Sequence, residues 1–204
     1  MLLEPAVVRS VITILLLATL PVLLSACDRQ SEGAGQENAQ DVAMQKDEKG
    51  AGSESGGTFT IDTSHAGEAA PDFTFEGPDG EDVTLADFRG KPLLVNLWAT
   101  WCGPCVLEMP TLDQLAVDQN GKVQVVVISQ DSQGREKVDP FFKERKFTAL
   151  QPYVDAENQF GFHYGSGLLP TTVLYDAEGK EVARVMGALD WRGKQAAKLI
   201  AGAL

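Results

Sequence analysis

Residues 73–85, FTFEGPDGEDVTL, alternate apolar and polar positions around a Pro-Asp-Gly turn, which predicts a β-hairpin. Residues 93–99 are almost continuously apolar, the pattern of a strand buried on both faces. From Pro104 to Gln119 the apolar residues Val106, Met109, Leu112, Leu115 and Ala116 recur at helical spacing. Residues 123–128, VQVVVI, form a second strong strand signal. Strand, helix and strand in such close succession make a βαβ unit, which closes right-handed with parallel strands. Residues 135–146 predict a further helix that Pro140 limits or kinks. Residues 171–175 and 180–186 flank DAEG and predict an antiparallel hairpin. A last helix is expected over 190–203, with Asp190 as N-cap and Ala197, Leu199 and Ile200 on its buried face. No internal repeat is visible. The pattern predicts one α/β domain over residues 58–204, with a mixed central sheet flanked by helices.

The N-terminus follows a different logic. Residues 11–24, VITILLLATLPVLL, are 14 uncharged positions. A membrane-spanning helix needs about 20. The length suits a signal-peptide core, with Arg9 before it and Glu4 offsetting that charge. LSAC at 24–27 resembles a bacterial lipobox, which implies a signal peptide over 1–26 and a lipid on Cys27. An uncleaved anchor helix ending in cysteine is the alternative. Asp28 resembles the signal that retains lipoproteins at the inner membrane. Residues 28–57 are polar, acidic and rich in Gly and Ser, so a disordered tether is expected over 27–57. As flexible coil it would reach roughly 30 Å.

The net charge of −12 and pI near 4.5 argue against a nucleic-acid partner bound through a basic face. Three cysteines are too few for a disulfide-stapled mini-domain. Two of them, Cys102 and Cys105, sit two residues apart between the first strand and the first helix. The helix N-terminus offers unpaired N–H groups and a positive dipole end, which favour a thiolate at Cys102. Gly103 allows a tight turn and Pro104 suits a first helical turn. Cys102 is expected to face outward as nucleophile, with Cys105 one turn inside as the shielded resolving thiol. A structural disulfide would close only a tiny loop and contribute little. Structural zinc needs four ligands, and only His65 and His163 could supplement one cysteine pair. Copper(I) held by Cys102, Cys105 and a histidine, as in a lipid-anchored copper chaperone, remains the rival from a different class. No resident metal or other cofactor is expected for the redox reading.

The WCGPC stretch at 101–105 resembles the thioredoxin active site. Residues 70–110 and the later LLPTTVLYDAEGKEVARVMG, 168–187, resemble the TlpA/ResA branch of extracytoplasmic thioredoxin-like proteins. The resemblance implies a thioredoxin fold with an N-terminal hairpin extension and a central helix-containing insertion. It implies that Pro170 follows a cis peptide bond beside the cysteines, exposing the Leu169 backbone for pairing with a substrate chain. It makes Trp101 a substrate-facing wall, Trp98 a core residue and Pro110 a structural helix proline. Glu108 resembles the acid that tunes thiol ionisation in this branch and could accept the Cys105 proton. Asn96 stands where cytoplasmic thioredoxins carry a buried aspartate. Leu168 replaces a common glycine two residues before the proline. The peroxiredoxin signature is missing, since Val95 and Ala99 occupy its Pro and Thr positions.

Cys-Gly-Pro-Cys is the sequence of reducing thioredoxins, with potentials near −270 mV. The resemblance therefore implies a reductant of protein disulfides, such as those of apocytochrome c or a copper-site assembly protein. A disulfide oxidant or isomerase is the other direction. The partners implied are disulfide-bearing proteins, a membrane electron donor and, through Cys27, the periplasmic face of the inner membrane. A monomer is expected.

Overall fold

The computed structural model describes residues 50–54 and 57–204. Cys27, the apolar run before it and the signal-peptide reading lie outside them. The elements in chain order begin with strands β1 (Gly50–Glu54), β2 (Gly57–Asp62), β3 (Phe75–Glu76) and β4 (Asp82–Val83). A 3-10 helix over Leu85–Phe88 follows, then β5 (Leu93–Trp98), α1 (Gly103–Gln119), β6 (Gln124–Ser129) and α2 (Arg135–Arg145). The chain closes with β7 (Tyr153–Val154), α3 (Gln159–Tyr164), β8 (Thr171–Tyr175), β9 (Glu181–Met186) and α4 (Lys194–Ala203).

The described strands form one mixed sheet in the order β1-β2-β9-β8-β5-β6-β7-β3-β4. Strands β5, β6 and β7 run parallel, and β8 pairs antiparallel to β5 on its other side. All six residues of β5 are buried. Their alternation divides the core: Leu94 and Trp98 pack with α1, α2 and α4, while Leu93, Val95 and Leu97 pack with Phe75, Phe160 and Tyr164. Trp98 anchors α2, its ring centroid lying 5.0 Å from Phe141 and 5.9 Å from Phe142. The predicted hairpin is present, with Phe75 opposite Val83 and Glu76 opposite Asp82. Its outer end is tied down by the Arg135 guanidinium, which pairs with Glu76 and donates to the Gly77 carbonyl. Between β6 and β8 the chain inserts α2, β7 and α3, the helix-containing insertion.

Three expectations are corrected. Residues 50–54 were expected in the disordered tether, yet they pair with β2 as a strand. Their Gly- and Ser-rich sequence carries no apolar alternation; the edge of β2 supplies the unpaired backbone groups that recruit them. The last helix starts at Lys194 with Gly193 as N-cap, not at Asp190. Asp190 instead closes a turn, its side chain accepting from Arg192 N and its carbonyl from Gly193 N. With that start the buried face becomes Ala196, Ile200 and Ala203, leaving Ala197 exposed. Pro140 lies inside α2 and does not end it.

Strand β2 pairs antiparallel with β9 and reaches the loop that follows it. Gly187 in that loop has φ +98°, and a Cβ there would collide with the Thr58 carbonyl oxygen. Gly187→Ala should therefore lower stability by roughly 1–3 kcal/mol from backbone strain alone. Urea unfolding of the two proteins checks this, and an unchanged midpoint would contradict it.

Candidate active site

Strand β5 ends at Trp98 and the chain turns immediately, with Cys102 N donating to Ala99 O at 3.1 Å. That turn delivers Cys102 to the N-cap of α1. Cys102 and Cys105 form a disulfide with Cα atoms 5.3 Å apart. The Cys105 N–H donates to Cys102 Sγ at 3.3 Å, so a helix-terminal donor already faces the sulfur that would carry the thiolate after reduction. Pro104 sits in the first helical turn, where its missing N–H leaves no gap.

Cys102 is less open than an outward-facing nucleophile was expected to be. It is 5% exposed, against none for Cys105. As N-cap its side chain folds back over the helix end, towards the Cys105 N–H. Cys102 nevertheless keeps the only exposed surface of the pair, so an incoming sulfur meets it first.

Three residues along α1 from Cys105, on the same face, lies Glu108. It is 4% exposed. Its Oε1 accepts from Asn96 Nδ2 at 2.7 Å and its Oε2 from Leu189 N at 3.0 Å. Burial pushes its pKa up from 4.5 to about 7, opposed by the Leu189 and Asn96 donors. The Trp191 indole N–H acts in the same direction without meeting hydrogen-bond geometry. Asn96 sits on the α1 side of β5 and also donates to Thr172 Oγ1 at 2.9 Å, while its Oδ1 has no hydrogen-bond partner among the described residues. It is thus a donor to the acid and only partly satisfied itself. Thr111 Oγ1 accepts from Trp191 N at 3.2 Å and donates to Glu108 O at 2.7 Å, fixing the same loop to α1.

A groove of about 630 Å³ opens over this acid. Pro104 and Leu107 line one side, Leu169, Pro170 and Leu189 the other, with Glu108 between them. The Leu169–Pro170 peptide bond is cis. Pro170 is buried and its carbonyl accepts from Gly187 N at 2.9 Å. Neither backbone group of Leu169 has a hydrogen-bond partner among the described residues. Trp101 is 71% exposed and lines a separate recess on the other side of the turn. Trp98 is buried in the core and Pro110 lies within α1. The structure thus gathers Cys102, Cys105, Glu108, Leu169 and Pro170 around one helix end, with Trp101 at its edge. Thr172, Thr111 and the Leu189 N–H have no signature in sequence, because each acts through one polar atom brought from a distant segment. Among the described residues no cluster of three or more His, Cys, Asp or Glu side chains could hold a metal ion, and no helix is long and apolar enough to cross a membrane.

The Redoxin family model matches residues 65–200. The thiol-disulfide oxidoreductase ResA of Geobacillus thermodenitrificans is 35% identical over 134 residues, 64% of this chain and 75% of that protein. ResA of Oceanobacillus iheyensis is 38% identical over 129 residues, 60% and 66% of the two chains. Among solved structures, the exposed lipoprotein thioredoxin Etrx1 of Streptococcus pneumoniae superposes with a TM-score of 0.56 at 25% identity, covering 63% of this chain and 98% of its own. A helix-capping cysteine pair beside a cis-proline on a thioredoxin-like sheet, in a chain that the Redoxin model matches over 65–200 and ResA proteins match over 60–64% of its length, places the chain in the Redoxin family as a thiol-disulfide oxidoreductase.

Proposed function

We propose that the protein reduces disulfides of proteins outside the cytoplasm, from a lipid anchor on Cys27 at the periplasmic face of the inner membrane. The observation that carries the reading is the Cys102–Cys105 pair set over buried Glu108, beside a groove whose Leu169 backbone is unpaired. A partner strand can bond to those free groups, as an edge strand recruits another. Exposed Leu107 on the groove, with exposed Leu168 just before the cis-proline and Trp101 across the turn, gives the surroundings apolar surface suited to a protein partner. The anchor is supported by the lipobox-like LSAC and by the lipoprotein named among the similar structures.

In the reduced protein the Cys102 thiolate attacks a sulfur of the partner's disulfide. A mixed disulfide forms and the partner's other sulfur leaves as a thiolate. Cys105 gives its proton to the Glu108 carboxylate and attacks Cys102 Sγ. The partner's second sulfur leaves and takes the proton from Glu108, its first takes one from water, and the partner departs with both thiols while this protein holds the two-electron disulfide seen in the structure. A membrane thiol donor then reduces it. Glu108 suits the transfer because its pKa of about 7 leaves both protonation states populated near neutrality.

The same shift has a cost in stability. The folded state holds the Glu108 proton more tightly than the unfolded chain does. Its contribution is therefore full below pH 4.5 and fades as pH rises to about 7. The loss amounts to about 3 kcal/mol.

Glu108→Gln should remove that pH-dependent component, which urea titrations below pH 4.5 and above pH 7 would reveal. It should also slow thiol exchange and flatten its pH profile; a wild-type profile would take Glu108 out of the proton path. Cys105→Ala should trap partner proteins on Cys102 as mixed disulfides, identifiable by mass spectrometry. Apocytochrome c and copper-site assembly proteins are the first candidates, and an empty trap would count against protein disulfides as substrates. Cys27→Ala should release the protein from membranes, whereas continued retention would point to an uncleaved anchor.

A further inference from the structure

The turn that carries Trp101 and Cys102 is held from a second side. Strand β6 lies beside β5, with Ser129 paired to Trp98 at their ends. Two residues on, Asp131 turns back towards the neighbouring chain and is 3% exposed. Its Oδ2 accepts from Thr100 N at 2.8 Å and its Oδ1 from Thr100 Oγ1 at 2.7 Å. Oδ2 also accepts from Ser129 Oγ at 2.8 Å, and the Asp131 N–H returns to that hydroxyl at 3.1 Å. The Asp131 carbonyl accepts from Gly134 N, at the start of α2. A buried carboxylate is tolerated only when its oxygens are met by donors, and here three donors meet it, two of them from one residue. That residue stands two positions before the nucleophile. The recess beside it, about 330 Å³, is lined by Asp131, Thr100, Trp101 and Lys137.

We propose that Asp131 is a positioning residue of the dithiol site, clamping Thr100 so that the turn presents Trp101 and Cys102 in one fixed orientation to a partner. The inference rests on the reductase reading above and adds a part that acts through Thr100, without touching either sulfur. Its chemistry separates geometry from charge. Asparagine at 131 keeps one oxygen for Thr100 N–H and Ser129 O–H, and its NH₂ can donate to the Thr100 hydroxyl, which turns to accept. Alanine removes every one of these bonds. Asp113 is a matched control away from the turn: a carboxylate on α1 that accepts from Thr148 N, Ala149 N and Leu150 N.

The test compares the reduced full-length protein with Asp131→Ala, Asp131→Asn, Thr100→Val and Asp113→Ala. Two readouts are taken: disulfide-reductase turnover, and the pH profile of Cys102 alkylation, which needs no protein substrate. Asp131→Ala should slow turnover about tenfold or more and displace the alkylation profile, as loss of a fixed near-attack geometry does. Thr100→Val should move both partway. Asp131→Asn should return to within about threefold of the wild type, since the positioning bonds survive. Asp113→Ala should leave both readouts in place. The proposal is overturned if folded Asp131→Ala keeps the wild-type turnover and profile, or if Asp131→Asn is as impaired as alanine, which would assign the effect to charge. Should Asp131→Ala fail to fold, Thr100→Val and Asp131→Asn decide by the same criteria. A wild-type protein without reductase turnover would sink the function proposed above, while the alkylation profiles would still judge the clamp.

Discussion

The hydrogen bonds to Glu108 tie together three segments that are otherwise independent. Asn96 reaches it from the central strand, Leu189 from the loop after β9, and the acid itself rides on α1. A carboxyl excluded from water must find donors in the protein or change its protonation state. Here it does both in part, which is why its pKa settles near 7 and not far above. The cost of burying an acid thus becomes the property on which the proposed proton transfer relies. The arrangement depends on β5 being fully covered: only in a strand sealed on both faces does an asparagine side chain point at a neighbouring helix without competition from water.

Cys102 stands under two constraints of different kinds. From within, the start of α1 aims the Cys105 N–H at its sulfur. From outside, the cis-proline loop, Pro104 and Leu107 line the groove beside it, the face to which the proposed partner would bind. Cys102 is mostly buried, so on that reading the fit of a partner to the groove counts for more than the thiol's own exposure. Leu168, two residues before Pro170, is an exposed apolar side chain on the same loop.

Most of the longer elements with one clear period were legible in the sequence, β2 excepted, although its Phe59 and Ile61 alternate with polar residues. Strands β5, β6, β8 and β9 and helices α1 and α2 fall close to where the pattern puts them. Short elements escaped because their existence depends on neighbours. Strand β7 is two residues long, and α3 is six residues with Gly161 in the middle, introduced by Asn158 in a left-handed conformation. Asp190 carried an N-cap signature, but a side-chain bond to its own second neighbour satisfied it first. The cysteine pair and cis-Pro170 were readable through the resemblance. The surroundings of Glu108 were not, since Leu189 lies 81 residues away in sequence and contributes only a backbone N–H. The low exposure of Cys102 was not legible, because it follows from the capping side chain folding over the helix end towards the Cys105 N–H.

Strand β2 has a consequence in mechanical terms. It joins β9 through three residue pairs, 60–186, 61–185 and 62–184, and its first residues pass beside the groove, where Thr58 forms part of the wall. Force applied to the chain ahead of Thr58 is carried first by those few pairs and by Phe59, the buried side chain of the strand. Under load the strand would peel from its N-terminal end, and the groove would lose a wall before the rest of the sheet felt the strain. The part of the domain that yields first to load is therefore a wall of the groove proposed to dock a partner.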